Sequence, residues 1–527
     1  MKNTPKEPPD SPDCPLFPKP VHIGCFSLIC TFFVVIAFRY EEPTDDVFIF
    51  LRYAQHFAEG HGLVWNIGER VEGYTSLLWV LVLSFLFLMT SEVEVWVSAV
   101  TIFLGVCSLF LVYRLATRLA TSPWAGCMAA GLLASDRSFT VWSATGMDTR
   151  LFCFLTLALV SLAHWMAPRK SSQRDGMILG LVMLLLSLTR PEGIALSFIW
   201  FVFLALNRPK WYRDPTVLMA GSLWFFGVAC HFAWRYGYYG LPLPNTFYAK
   251  VTGFNFAIGV EYFQWFVTSH SLQVVVVSIC LGRILMRWRA DRFQSLLAAT
   301  ILGYSFYILA IGGEIMEFRL LDLVIVLSVL LVSISLFDFS RSLSSWRSHF
   351  LIGMTTILLA ANVGTAINLE RRFHADNAKW SHRPDPYGDC ITIGKWFKKI
   401  ALPGESIAVG TAGAIPYYSG LPCIDTLGLN DRYIASLPPV ENASFIGHQK
   451  RAPDSYLWKN GMTYVIDNAL PLEFVERPLK RPQSFIMEVE NMDREDGEEE
   501  SFYIQLRTMW HRDTLIESLR QRGVNAF

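Results

Sequence analysis

Long apolar runs recur along the chain near 22–38, 95–113, 119–134, 150–167, 215–234, 262–282, 295–311, 320–337 and 350–367. A further stretch, 176–206, is apolar except for Arg190-Pro191-Glu192 and predicts two short helices meeting at a polar hairpin. A helix needs about 20 residues to cross the hydrocarbon core of a bilayer. The nine runs and the two halves of the hairpin therefore make eleven expected spans.

Residues 75–90 form one more apolar run, and its role decides the topology. Counted as a span, it strands the later basic loops on the wrong side. Read as an interfacial or re-entrant helix, it brings Arg114/Arg118, Arg169/Lys170/Arg174, Arg208/Lys210/Arg213, Arg283/Arg287/Arg289/Arg292 and Arg341/Arg347 to one face, the cytoplasmic one by the positive-inside rule. The first loop, 39–94, then lies outside with the Gly146-Met147-Asp148 segment, the Arg190 hairpin, residues 235–260, the Gly312-Gly313-Glu314 turn and the whole C-terminal region.

The first loop begins with a second pattern. Val47, Phe50, Leu51, Ala54 and Ala58 share one helical face, and Asp45, Arg52, His56 and Glu59 the other. Thr44 is a ready N-cap, and carboxylates are favoured in a first turn. The pattern predicts a helix lying on the membrane with its acids toward water and Asp46 at the boundary beside Tyr53. Asn66, Glu69, Glu72 and Tyr74 follow closely, so charge and polarity are concentrated between two apolar runs, where they are costly unless they serve an aqueous site.

Composition agrees with a membrane protein: 52% of the 527 residues are hydrophobic and 17% charged. Formal net charge is +0, so no global basic field points to nucleic acid. From about Asn368 the composition becomes that of a soluble domain. Strand-like runs at 406–410, 463–467, 485–488 and 502–506 mix there with helix-like runs at 391–400 and 514–522. The expected architecture is an α-helical polytopic membrane protein with a C-terminal extracytoplasmic α/β domain. Its parts are a disordered tail at 1–21, a membrane module at 22–367 and the domain at 368–527. Cys390 and Cys423 form either a disulfide or two thiols. Asn442-Ala443-Ser444 matches a glycosylation acceptor, and 490–500 reads as a solvated acidic loop.

The order Asp45-Asp46, Arg52-Tyr53-Ala54, Gly60-His61-Gly62-Leu63-Val64-Trp65-Asn66 and Gly68-Glu69-Arg70-Val71-Glu72-Gly73-Tyr74 resembles membrane glycosyltransferases of the class C fold. The similarity is greatest to relatives of the mycobacterial terminal arabinofuranosyltransferases. It continues through Gly146-Met147-Asp148-Thr149, Thr189-Arg190-Pro191-Glu192-Gly193, Tyr239-Gly240 to Asn245-Thr246 and Tyr248-Ala249-Lys250, Gly413 to Gly420, and Asp425 to Asp431. One motif departs: the usual Gly-Gly-Asp is Gly312-Gly313-Glu314 here, with Arg319 following.

This resemblance implies an enzyme that uses a polyprenyl-phosphate sugar, with a pentofuranose as the sugar its nearest relatives suggest. The acceptor is a glycan, lipid or protein, and the setting is the outer face of a bacterial inner membrane. It carries the general base over to Asp45 or Asp46, with Asp46 favoured by its flank position. A carboxylate in a half-dry cavity suits removal of an acceptor proton. Arg190, and after it Lys250 and Arg319, are candidates to meet the leaving phosphate, where fixed cations lower the barrier. Arg52, Tyr53, Asn66, Glu69, Glu72, Tyr74, Asp148, Glu192, Asn245 and Glu314 are candidates for substrate contact. For Asp148, an N-cap role beside Thr149 is the alternative. Some class C enzymes use a divalent cation, but His56 and His61 do not suggest a cage, and no ligands are assigned. A polytopic transporter or flippase of lipid-linked sugars, with Arg190 or Asp322 lining a pathway, is the competing reading.

Overall fold

The computed structural model describes residues 19–40, 43–251, 253–286, 289, 291–314, 316–380, 386–440, 449–466, 483–489 and 502–527, without the side chains of 373–389 and 502–503. The N-terminal tail to residue 18, Glu41 and Glu42, the Asn442-Ala443-Ser444 triplet and the acidic run 490–500 lie outside the described residues.

Helix α1 (Pro20–Ala37) leads into α2 (Asp45–Ala58) and α3 (Leu77–Met89). The bundle continues with α4 (Val93–Leu119), α5 (Pro123–Ala134), α6 (Arg137–Ala144), α7 (Thr149–Met166), α8 (Gln173–Thr189), α9 (Glu192–Leu206) and α10 (Pro215–Tyr239). After the short α11 (Asn245–Lys250) come α12 (Phe256–Ser269), α13 (Ser271–Met286), α14 (Arg292–Ile311), α15 (Asp322–Ser340) and α16 (Arg347–Trp380).

Among the described residues, six helical stretches are long and apolar enough to cross a membrane, or seven if the bent pair α12–α13 counts as one. One of these stretches, Arg319–Arg372, holds both α15 and most of α16, and the helix lengths do not by themselves confirm the expected eleven crossings. The run at 262–282 is two helices bent by 102° around His270, where the ring nitrogen Nδ1 lies 3.2 Å from the Phe266 carbonyl. The run at 119–134 yields only the 12 residues of α5, because Pro123 opens the helix late. Helix α3, at 13 residues, is also too short to span. The polar hairpin is present: α8 ends at Thr189, Arg190 is extended, and α9 begins at Glu192.

Close helix contact in the bundle depends on small residues. A Cβ on Gly176 would come within 2.6 Å of the Thr216 carbonyl oxygen, and one on Gly180 within 2.8 Å of that of Ala220, so α8 and α10 meet backbone to backbone. Between α7 and α15, Arg150 is ion-paired with Asp322, both side chains fully buried, and Cys153 also donates to that carboxylate.

Helix α16 runs through the composition change at 367/368. Beyond it, α17 (Pro386–Ile400) precedes a five-stranded mixed sheet of order β2-β1-β3-β5-β4. Strand β1 (Ile407–Val409) pairs in parallel with β2 (Cys423–Asp425) and β3 (Tyr464–Ile466). Strand β5 (Phe502–Arg507) is antiparallel to both β3 and β4 (Ser484–Val489). Short helices α18 (Ala414–Ser419), α19 (Arg432–Ser436) and α20 (Asp454–Lys459) connect the first strands, and α21 (Arg512–Gln521) follows β5. Cys390 and Cys423 are both buried thiols, with no disulfide between them.

Candidate active site

Helix α2 is covered on its polar side around Arg52, while Glu59 at its end is exposed. Every residue from Val47 to Ala54 is buried, because α18 and the loops around it cover the face that carries Arg52. Arg52 can be buried because its donors are met by oxygens. Nε donates to the Trp65 carbonyl at 3.0 Å, and the two terminal nitrogens reach the carbonyls of Pro416 and Leu421 and Oδ1 of Asn66. Its guanidinium also stacks 4.7 Å from the centre of the Trp65 ring.

The adjacent aspartates of this helix have different surroundings. Asp45 accepts from the Gly413 N–H at 2.9 Å and the Ala414 N–H at 2.8 Å, one bond to each carboxylate oxygen. Burial raises its carboxyl to about 7, against these two bonds, and the charge of Asp46 adds to the rise. The backbones touch here: a Cβ on Gly413 would sit 1.8 Å from the Asp45 carbonyl oxygen. The hydroxyl of Thr44, the expected cap, makes no capping bond.

Asp46 is half-buried and lies within electrostatic reach of Arg319. Arg319 chelates Glu314 through Nε and a terminal nitrogen, the shorter contact being 2.6 Å, and Glu314 Oε1 also accepts from the Leu320 N–H. Asp148 feels the charges of Arg190, Arg319, Glu192 and Glu314. Its carboxylate makes no helix cap and stands 3.8 Å from a terminal nitrogen of Arg190. Glu192 is 3.6 Å from Nε of Arg190 and accepts from the Tyr307 hydroxyl at 3.2 Å. Asp46, Asp148, Arg190, Glu192, Glu314 and Arg319, drawn from four separate segments, thus form one polar centre. Two guanidiniums stand among four carboxylates. Arg190 is held by ion pairs longer than hydrogen bonds, and its Nε has no hydrogen-bond partner among the described residues.

The other candidates bond within the protein. Tyr53 donates to the Val71 carbonyl at 2.8 Å and accepts from the Gly73 N–H. Asn66 pairs with the Cys423 backbone in both directions, at 2.9 and 3.0 Å, and donates to Glu69. Glu72 is buried against Arg235 at 2.8 Å, and burial raises its carboxyl to about 7 in spite of that partner. Tyr74 shares a hydrogen bond with Tyr239 at 2.9 Å. The Asn245 amide donates to the carbonyls of Gly428, Leu429 and Asp431. Lys250 closes α11, whose neighbour is α19. These contacts tie the first loop and residues 239–250 to the sheet domain.

Tyr307 and Glu317 carry no motif signal. Glu317 binds Arg137 at 3.2 Å, and its carbonyl accepts from Trp142 Nε1 at 2.7 Å, close to the turn that presents Arg319. His56 and His61 stand ring to ring at 6.1 Å, with His56 Nδ1 3.0 Å from the Val64 carbonyl. Among the described residues no group of three or more His, Cys, Asp or Glu side chains is arranged to hold a metal ion.

Residues 378–511 match a family described as a domain of unknown function (DUF8728). The terminal beta-(1->2)-arabinofuranosyltransferase of Mycobacterium tuberculosis is 28% identical over 263 residues, which is 46% of this chain and 41% of that protein. The enzyme of the same name from Corynebacterium glutamicum is 25% identical over 333 residues, 55% of this chain and 47% of its own length. The chain thus spans less than half the length of the curated relatives it matches. Among solved structures, ArnT from Cupriavidus metallidurans superposes with a TM-score of 0.54 at 13% identity, covering 85% of this chain and 93% of ArnT. The oligosaccharyltransferase AglB of Archaeoglobus fulgidus, in complex with an inhibitory peptide and a dolichol-phosphate, gives 0.52 at 13% identity, covering 85% of this chain and 69% of AglB. The chain is an integral membrane protein with the class C glycosyltransferase fold, similar in sequence to terminal arabinofuranosyltransferases.

Proposed function

We propose that this protein transfers a sugar, a pentofuranose in the first instance, from a polyprenyl-phosphate donor to an acceptor outside the cytoplasm. The observation that carries this reading is Arg190: a largely buried guanidinium whose Nε has no hydrogen-bond partner among the described residues and which only longer ion pairs to Asp148 and Glu192 hold. A guanidinium held this loosely suits an anionic leaving group. The reading is also supported by the solved relatives, since ArnT has been seen with undecaprenyl phosphate and AglB with dolichol-phosphate.

The reaction is a single displacement. An acceptor hydroxyl attacks the anomeric carbon, its proton passes to the Asp46 carboxylate, and the bond from that carbon to the phosphate oxygen breaks on the opposite face. The configuration inverts. The electron pair leaves with the polyprenyl phosphate, whose growing charge Arg190 stabilises, with Arg319 behind it. Asp46 is the base rather than Asp45 because both oxygens of Asp45 already accept backbone N–H bonds. Asp148 and Glu192 orient Arg190, and Glu314 orients Arg319. No step is routed through a metal. Movement of a lipid-linked sugar without transfer draws no support from Asp322, which is sealed against Arg150 and Cys153.

The test is to reconstitute the purified protein, supply a panel of polyprenyl-phosphate sugars with candidate acceptors, and follow donor consumption and product by mass spectrometry. Asp46→Asn is expected to cut turnover by about 10²–10⁴-fold with folding retained. Undiminished turnover in that variant rejects Asp46 as the base, and donor translocation without any covalent product rejects the transferase reading.

A further inference from the structure

The sheet domain carries a second concave site, remote in sequence from the charged centre. An open cleft of about 720 Å³ is bordered by Trp458, Gln483, Trp510, His511, Arg512 and Asp513. Trp458 is 50% exposed and Trp510 41%, so each shows a large part of its indole to solvent, whereas Trp396 of the same domain is buried. Two exposed indoles on one cleft mark an interaction site rather than scatter.

The aromatic ring of Trp510 is fixed. Its Nε1 donates to the Gly461 carbonyl at 2.8 Å, its backbone N–H donates to Thr508 Oγ1 at 3.0 Å, and the preceding Met509 is buried and bonded to the Met462 carbonyl. With the indole N–H consumed, what Trp510 offers a ligand is its flat face. Beside it Arg512 and Asp513 form an ion pair at 3.1 Å, two exposed planar groups of which the guanidinium donates and the carboxylate accepts, and His511 Nδ1 lies 3.3 Å from the Thr514 hydroxyl. A sugar ring presents the matching surface: an apolar face of C–H groups that stacks on an aromatic plane, with a rim of hydroxyls that pair with carboxylate, guanidinium and amide groups. A lipid surface fits less well, because the Asp513 carboxylate would face anionic headgroups and the charges here cancel.

We infer that this cleft binds a glycan chain and so holds a polymeric acceptor while its end is extended at the charged centre. The proposal takes its purpose from the transferase reading, but its test does not depend on it. The full-length protein in detergent micelles or nanodiscs would be titrated with α-(1→5)-arabinohexaose and with maltohexaose, using calorimetry and saturation-transfer NMR. At least one is expected to bind, with Trp458→Ala and Trp510→Ala each weakening it by about tenfold or more. Trp510→Phe is expected to keep most of the affinity, since a flat ring remains and only the Gly461 bond is lost.

Failure of both oligosaccharides to bind the parent protein, or binding indifferent to both alanine variants, overturns the proposal. A change in oligomeric mass caused by Trp510→Ala, with no glycan bound by the parent, overturns it in favour of a protein contact. Glycan binding with no transfer of any sugar counts against the transferase reading alone, and transfer with no binding at the cleft counts against the cleft alone.

Discussion

Arg52 and Arg190 are both buried arginines of the same loop-rich face, and their surroundings separate structure from chemistry. Arg52 meets four oxygens of the surrounding protein, so its removal orphans carbonyls at Trp65, Pro416 and Leu421. Arg52→Ala should lower the unfolding free energy by on the order of 3 kcal/mol, read from thermal or denaturant melts. Arg190 is held only by ion pairs longer than hydrogen bonds, so Arg190→Lys, which retains charge but not the planar fork, should cut transfer by about 10²–10³-fold while melting moves little. Equal loss of stability in both variants would contradict this division. The sequence already named every member of the charged centre, but it could not tell these residues from Arg52, Tyr53, Asn66 and Asn245. A polar side chain beside a candidate site reads alike whether it faces a ligand or a backbone carbonyl. The deciding partners, Pro416, Leu421, Cys423 and Gly428, lie more than 180 residues away along the chain.

At the scale of elements, the broken stretch around Arg190 was legible because Pro191 and two charges interrupt an otherwise unbroken apolar run. The 102° bend at His270 was not, since Ser269-His270-Ser271 interrupts hydropathy too briefly to register. Strand β2 escaped for a related reason: three buried residues after Pro422 show no alternation. The burial of α2 on both sides was hidden as well. Its amphipathic pattern is real, but around Arg52 the polar face is covered by α18 rather than by water. The α2–α18 contact can be tested alone. Gly413→Ala would drive a methyl group to 1.8 Å from the Asp45 carbonyl oxygen, so α2 and α18 must separate. Faster proteolysis or hydrogen exchange in residues 405–440, with loss of transfer, is the expected result. An unchanged exchange pattern would show that the contact yields without consequence.

Over the whole molecule, three buried carboxyls lie where the membrane module meets the sheet domain. Burial raises Asp45 and Glu72 to about 7 and Asp425 to about 6, in each case against hydrogen bonds or a charge that oppose it. A carboxyl raised in the folded state holds its proton there after the unfolded chain has lost it. Stability from these groups is therefore complete below about pH 4 and is lost as pH rises through about 6 to 7. The melting temperature should fall between pH 5 and pH 8, and Glu72→Gln or Asp425→Asn should flatten that slope. A slope identical in both variants would remove these carboxyls as its source.

Asp45 and Asp46 share one turn of α2, the first fastened to Gly413 and Ala414 and the second within electrostatic reach of Arg319. The aim of Asp46, the proposed base, is thus set by a joint apart from the proposed sugar and phosphate contacts. A compound that wedged into that joint would stop turnover without competing with donor or acceptor. Its inhibition would be noncompetitive against both, and raising either substrate would not relieve it.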